Sequence, residues 1–408
     1  MVCNGTMDAP QPDVMAAETA GIDLLESPEM REPLELAVAT LGGSVQSWQL
    51  AKLQHRPGAG ATGIYTVRLR GNDGGERTEY VCVTTAAVPE CGLPLVRLDG
   101  GAVPLTAWLY PSDPVLVGLP AACDPAAVGR SVFGGGEAEL RMVSYRPLRR
   151  AVLEAVQGDR KVFLKVLRPD RAVQLLRRHH LLTDAGLPAP VATAGPADGV
   201  VVLTEATGTP LARAIMNDGA AALAPETLLD LLKSLPPGVV ELSRRPAWAE
   251  RAADYAKAAA AVLPDEQDRI FALAGRVEEL LAATDAGPVV PTHGDFYEAN
   301  LMVNGGRITG LMDVDSLGPG HLVDDLACFL GHLAVLPAVH AGYVHVPAAC
   351  ERFAAVFDTV VDPAGLRGRA AGVALSLVAG AKTAGEGHDW QQDALQRLAI
   401  AEGLAAEA

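Results

Sequence analysis

The stretch HGDFYEANLMV, residues 293–303, decides how this chain folds, together with GLMDVDSLGPGHLVDDLA, residues 310–327. In the first stretch Asp295 and Asn300 stand five positions apart. That spacing lets a carboxylate and an amide point into one site from a single loop. Asp295 is placed to accept or orient the proton of an attacking hydroxyl, and Asn300 to offer an oxygen to a metal. In the second stretch Asp313 ends the apolar strand GRITGLMD, where a hard carboxylate ligand for Mg²⁺ is expected. Between them lies the tight hairpin Val303-Asn304-Gly305-Gly306-Arg307, which brings Asn300 and Asp313 side by side. Such a pair is the clamp that phosphoryl transfer needs, because that chemistry is mostly positioning and charge neutralisation.

Toward the N-terminus, Lys165 is a lone ammonium in the apolar strand KVFLKVL (161–167). A buried Lys is costly unless it meets an anion. Nucleotide phosphates would serve; the alternative is a strand with one wet face. ELRMVSY (139–145) and RAVLEAV (150–156) precede it and complete a three-strand meander. An earlier meander consists of WQLAKLQ (48–54), IYTVRLR (64–70) and TEYVCVTT (78–85), with turns at Pro57–Gly63 and Asn72–Gly75. LAKLQHRP (50–57) overlays LRMVSYRP (140–147) at an offset of 90, sharing Leu, Arg and Pro. The N-terminal region therefore reads as a degenerate copy of the sheet that follows it. In that copy Cys82 or Val83 stands where Lys165 would be. Residues 58–63 fit G-x-G-x-x-G, but a strand follows them where a dinucleotide site needs a helix. A plain hairpin tip is the default reading.

Residues 1–30 are polar and read as loose at the start, and 86–127 as irregular with one strand near 105–110. Residues 170–185 form a helix, 199–206 a buried strand, and 211–235, 247–262 and 265–283 are Ala/Leu-rich helices, with helices again after 312. Sheet first and helices after gives an α+β chain with a β-rich lobe joined to a helical one. The boundaries fall at 1–130 for an N-terminal α+β cap domain, 131–206 for an antiparallel-sheet N-lobe and 207–408 for a helical C-lobe.

Composition narrows the function classes. The chain of 408 residues is 49 % hydrophobic, enough for large cores, and only 4 % aromatic. A net charge of −16 argues against nucleic-acid or anionic-membrane binding. Residues 225–408 hold 25 acidic and 13 basic side chains, so a cleft there would suit a cationic partner. Cys3, Cys82, Cys91, Cys123, Cys328 and Cys350 have no zinc spacing and read as reduced thiols. No signal peptide is visible, and the apolar stretches 326–339 and 370–381 read as too short or interrupted to span a bilayer. A cytoplasmic protein without membrane contact follows.

Taken in order, Lys165, the strand end VVLTEATGTPL (201–211), HGD-x₄-N, Asp313 and Asp325-Leu326-Ala327 resemble the aminoglycoside phosphotransferase family of small-molecule kinases. That family includes choline kinase-like and sugar kinase-like enzymes, and the likeness covers roughly residues 139–385. The resemblance implies a two-lobed protein-kinase-like fold, ATP as donor, Mg²⁺ as cofactor and a small-molecule hydroxyl as acceptor: an aminoglycoside, amino sugar, sugar or amino alcohol. It implies that the backbone of Glu205 and Ala206 meets adenine, that Asp325 braces the catalytic loop, and that AGLPAPV (185–191) links the N-lobe helix to the next strand. His293 reads as a brace in that loop. Asp315, two residues past Asp313, points the same way in an extended chain and could support metal or acceptor.

Other residues depart from the pattern. The family's helix Glu has no counterpart near Leu176 or Arg177. The phosphate loop Arg146-Pro147-Leu148-Arg149-Arg150 has no glycine, and Arg149 or Arg150 either meets phosphate or sits on the surface. Arg177, Arg178, His179 and His180 read as a solvated helix face, Asp324 as a helix cap, and Trp248, Tyr255 and Trp390 as core. The sequence speaks against a protein kinase, because Asp325 follows Asp313 by only twelve positions, which leaves no room for an activation loop. The competing reading is a nucleotide-binding scaffold without turnover.

Overall fold

The structure, a computed structural model, describes residues 12–41, 44–56, 60–71, 74–90, 92–99, 103–383 and 389–408. Cys3, Cys91, Gly58, Ala59 and parts of the two expected turns lie outside them. The chain divides into two compact units, Met1–Leu176 with Ala192–Thr204, and Arg177–Val191 with Glu205–Ala408.

The described part of the first unit opens with helices α1 (Pro12–Glu26) and α2 (Arg31–Val38); the start expected to be loose, residues 1–11, lies outside the described residues. Five strands follow: β1 (Ser44–Arg56), β2 (Gly60–Arg70), β3 (Glu76–Thr84), β4 (Val96–Leu98) and β5 (Leu105–Leu109). Alternation puts Tyr65, Val67, Leu69, Val81, Val83, Leu105 and Ala107 on one face, where they bury Leu25, Met30 and Leu34 of the helical segment. The short helices α3 (Leu119–Ala122) and α4 (Pro125–Val128) then start a second set. Its strands are β6 (Glu139–Arg146), β7 (Arg150–Gln157), β8 (Arg160–Val166), β9 (Ala192–Ala194) and β10 (Val200–Thr204). Here Ala151, Leu153, Val162, Leu164, Val166, Val200 and Val202 cover Leu116, Leu119 and Val128.

The two antiparallel sheets have the same strand order, β1-β2-β3-β5-β4 and β6-β7-β8-β10-β9. Their first hairpins close on Arg56–Gly60 and Arg146–Arg150. Two residues past those closing pairs, Thr62 pairs with Thr84 and Val152 with Lys165. The register thus puts Thr84, and neither Cys82 nor Val83, at the place of Lys165. One difference is plain: β8 leads into helix α5 (Pro169–Asp184), whereas the described residues between β3 and β4 hold no helix.

The second unit is helical around a few short strands. The expected helix over 211–235 is two, α6 (Leu211–Asp218) and α7 (Pro225–Lys233), split where Gly219 turns left-handed at φ 72°. Helices α8 (Ala252–Val262) and α9 (Gln267–Ala283) follow. Strand β11 (Thr209–Pro210) pairs with β13 (Leu301–Asn304), which pairs with β14 (Arg307–Leu311), and β12 (Val289–Thr292) pairs with β15 (Gly318–His321). The chain ends in α10 (Leu322–Val339), α11 (Val346–Phe357), α12 (Pro363–Val378) and α13 (Trp390–Ala406). Small side chains, among them Ala252, Ala256, Ala259, Ala371, Ala374 and Ala401, let α8, α9, α12 and α13 pack closely. Helix α10 has 18 residues with mean hydropathy 1.7, long and apolar enough to cross a membrane, contrary to the expectation from sequence. It is 67 % buried inside the unit and carries Asp324 and Asp325, as the central helix of a folded core does.

Candidate active site

Strand β12 delivers the loop that begins at His293. Gly294 turns there at φ 75°, and a Cβ on it would lie 2.6 Å from the Ser316 carbonyl oxygen, so only glycine fits. Phe296 is buried and anchors the loop, its ring 6.0 Å from His293 and 6.1 Å from Phe329 of α10. Asp325, in the first turn of α10, accepts hydrogen bonds from the backbone N–H groups of His293 at 2.7 Å and Gly294 at 2.8 Å. Burial pushes this carboxyl up to about 7, while the two N–H donors pull it down. Buried His293 lies with Nε2 3.0 Å from the Met312 carbonyl. A carbonyl only accepts, so Nε2 carries the proton. Burial lowers the His293 pKa, which keeps the ring neutral.

Asp295 follows, half-buried. Its Oδ1 is inaccessible and has no hydrogen-bond partner. Burial first, then the charge of Asp313, pushes its pKa up to about 6, and hydrogen bonding to the Trp248 and Asn300 side chains opposes the rise. A 3-10 turn, Glu298–Asn300, leads into β13. The Asn300 Nδ2 donates to the Asp295 carbonyl at 2.9 Å. That bond fixes which end of the amide is which and leaves the oxygen for a cation.

The ladder of β13 and β14 pairs Leu301 with Leu311, and the Met312 N–H extends it to the Asn300 carbonyl at 2.8 Å. Asp313 comes next, in the left-handed region at φ 51°. For a residue with a Cβ this costs about 1–2 kcal/mol, a strain that clusters at functional sites. A 3-10 turn, Val314–Ser316, follows. Asp315 is therefore not in extended chain with Asp313, and the alternation argument for it fails. Its charge still reaches the site, raising the pKa values of both Asp295 and His293.

The structure therefore brings His293, Asp295, Asn300, Asp313, Asp315 and Asp325 together. Among the described residues no three His, Cys, Asp or Glu side chains form a metal cage. Asn300 and Asp313 offer hard oxygens from a hairpin whose register is fixed, and this donor set fits Mg²⁺, which takes one or two protein ligands and fills the rest with water and phosphate. Lys165 lies in the first unit, 7 % exposed, on the sheet face opposite Leu164 and Val166. The wet-face alternative therefore fails. Glu205 and Ala206 follow the end of β10.

Several residues were misjudged or missed in the sequence. Arg178 and His179 are buried, not solvated: the Arg178 Nε donates to the Leu317 carbonyl at 3.1 Å, and the His179 Nδ1 lies 2.9 Å from the Pro190 carbonyl. Asp324 forms an ion pair with Arg369 of α12 at 3.1 Å, and it also takes a hydrogen bond from the backbone of His321, the residue that precedes α10, as its expected capping role requires. Trp248 stacks on Tyr255 with centroids 5.8 Å apart and meets the His332 ring edge-on at 5.9 Å, and Tyr297 stacks on His332 at 4.2 Å. Trp248 hydrogen-bonds Asp295, and Tyr255 and Tyr297 lie within reach of its charge; no local spacing announces this cluster. Beside them opens a shallow cleft lined by Arg244, Arg245, Trp248, Ser316, Asp324 and Asp325. Arg244 pairs with Glu250, and the Arg245 Nη1 donates to the Ser316 hydroxyl at 2.9 Å. The wall of this cleft thus sets Arg244 and Arg245 against Asp324 and Asp325.

His332 gives a pH prediction. Burial lowers its pKa from 6.5 to about 4. The folded value lies below the unfolded one, so its contribution to stability is full above pH 6.5 and is lost as pH falls toward 4. Between those limits the unfolded chain takes up a proton that the folded chain refuses, a loss of about 3 kcal/mol. His332→Phe is expected to flatten that acid-side loss, and urea denaturation of both chains at pH 7 and pH 4.5 measures it. Parallel losses in the two chains would rule out His332 as the source.

The profile of the phosphotransferase enzyme family, APH, matches residues 149–356, just over half of the chain. The N-terminal sheet lies outside that match. No curated protein sequence matches significantly. Among solved structures, aminoglycoside phosphotransferase APH(4)-Ia in a ternary complex with AMP-PNP and hygromycin B is similar at 14 % identity and TM-score 0.49, over 69 % of this chain and 98 % of that one. APH(3'')-Id from Streptomyces rimosus is similar at 21 % identity and TM-score 0.43, over 61 % and 96 %. A choline/ethanolamine kinase family protein from Mesorhizobium loti is similar at 18 % and 0.47, over 69 % and 92 %. None of these likenesses fixes an acceptor for the present chain.

Proposed function

Because the chain belongs to the phosphotransferase enzyme family, we propose that it moves the γ-phosphoryl group of ATP onto a hydroxyl of a small molecule. The observation that carries this reading is the bond from the Met312 N–H to the Asn300 carbonyl, which sets the Asn300 amide and the Asp313 carboxylate at the end of one hairpin beside Asp295. Asp295 has a buried oxygen without a partner, and an acceptor hydroxyl would supply the missing donor. With a pKa near 6 it is ionised at neutral pH and poised to take that proton. Magnesium, when bound by Asn300 and Asp313, supplies neutralisation of phosphate charge. Lys165 is proposed to meet the phosphates, and the backbone of Glu205 and Ala206 the adenine, both from their order in the sequence.

The acceptor class proposed is an aminoglycoside, amino sugar, sugar or amino alcohol. Sheet β1–β5 is proposed to be a degenerate copy of sheet β6–β10, which its strand order and hairpin register support. A cytoplasmic setting belongs to the same proposal, since ATP and reduced thiols go with it. The competing scaffold reading rests on the glycine-free loop and the absent helix acid, and the complete Asp295, Asn300 and Asp313 set weighs against it.

A coupled ADP-release assay with MgATP against a panel of these acceptors tests the reading. Turnover with one class is expected, falling to background with EDTA or in Asp313→Ala. Turnover that survives both treatments would refute the metal assignment. No turnover with any acceptor, while MgATP still raises the Tm, would favour the scaffold.

A further inference from the structure

The segment joining the two sheets of the first unit contains Asp113, a fully buried carboxylate. Its side chain accepts four hydrogen bonds. Oδ1 takes the N–H groups of Val115 at 2.9 Å and Leu116 at 3.0 Å, which shape its own turn. Oδ2 takes the Tyr145 hydroxyl at 2.9 Å and the Leu148 N–H at 2.9 Å, both from the second sheet.

Leu148 is at the tip of the β6–β7 hairpin and is left-handed at φ 61°. A glycine would adopt that conformation freely, and a leucine needs something to hold it. The charge-assisted bond to Asp113 does so. Tyr145, the other partner, is gripped by three strands of the first sheet. Its carbonyl lies 3.4 Å from Gln54 Nε2, and its hydroxyl lies 3.4 Å from Trp108 Nε1 and 3.7 Å from Cys82 Sγ. The Tyr110 ring adds a contact at 5.4 Å. The first sheet therefore holds the hairpin from outside.

In kinases the corresponding hairpin covers the nucleotide phosphates and is normally rich in glycine. Here it leads directly to Val152, the strand neighbour of Lys165. We propose that Asp113 is a positioning residue for the nucleotide: with Tyr145 it fixes the Pro147–Arg149 tip, and the N-terminal sheet exists to supply a rigid phosphate cover in place of a flexible glycine loop. This rests on the kinase reading.

The test compares binding of MgAMP-PNP and of adenosine to the full chain by calorimetry, in wild type, Asp113→Asn and Tyr145→Phe. Asn keeps the size of Asp113 but turns an acceptor into a donor that opposes the Leu148 N–H. The expected result is a roughly ten-fold weaker MgAMP-PNP complex with adenosine affinity unchanged, and a smaller loss of the same kind in Tyr145→Phe. A general structural role would weaken both ligands alike. An unchanged ratio of the two affinities in either folded variant overturns the proposal. If Asp113→Asn loses its cooperative melting transition, Tyr145→Phe alone decides. Wild-type protein that binds adenosine and MgAMP-PNP equally also overturns it, and wild-type protein that binds neither brings down the kinase reading beneath it.

Discussion

Asp295→Asn is expected to lower kcat by about 10²- to 10⁴-fold, the usual contribution of a positioned proton acceptor, and to leave the affinity for MgAMP-PNP unchanged. The substitution is nearly isosteric. The Asn300 amide bonds the backbone carbonyl of residue 295, not its side chain alone, so the metal-facing amide keeps its orientation. What is lost is the charge of the carboxylate whose buried Oδ1 has no partner. Loss of nucleotide binding together with turnover would place Asp295 in the nucleotide site and remove it as proton acceptor. Turnover within a few-fold of wild type would do the same from the other side.

Asp325→Ala is expected to cost about 3–5 kcal/mol, since two buried N–H groups, those of His293 and Gly294, lose their acceptor at about 1–3 kcal/mol each and a small void is added. For a unit of this size that is a fall in Tm of about 10 °C. Asp325→Asn keeps one acceptor oxygen and is expected to lose about half as much. Thermal unfolding in the absence of ligand reads both. An alanine variant within about 2 °C of wild type would show that water replaces the carboxylate, and the bracing role would go.

Much of the site was legible because it is local. Asp295 and Asn300 share one loop, and Asp313 follows across a hairpin whose turn residues, Asn304-Gly305-Gly306, announce themselves. Strand positions were legible for the same reason: alternation over a few residues is set by the pleat. Failures came where a local rule met a distant constraint. Asp315 was read as though the chain stayed extended, but Asp313 turns left-handed and a 3-10 turn follows. Arg178 and His179 look like a wet helix face in isolation, yet they meet carbonyls of Leu317 and Pro190. The 326–339 run looked short because Asp324 and Asp325 interrupt its polarity, while the helix itself starts at Leu322.

The sequence by itself determined the order of sheet and helices, the strands of both meanders and the placing of Asp295 and Asn300 on one loop, because each is written in spacings no longer than one element. Tertiary structure alone decided that Trp248 hydrogen-bonds Asp295, that Asp324 pairs with Arg369, and that Asp113 holds the tip of a hairpin 35 residues away. Those contacts join residues far apart along the chain, and only the packing of whole elements brings such residues within reach of one another.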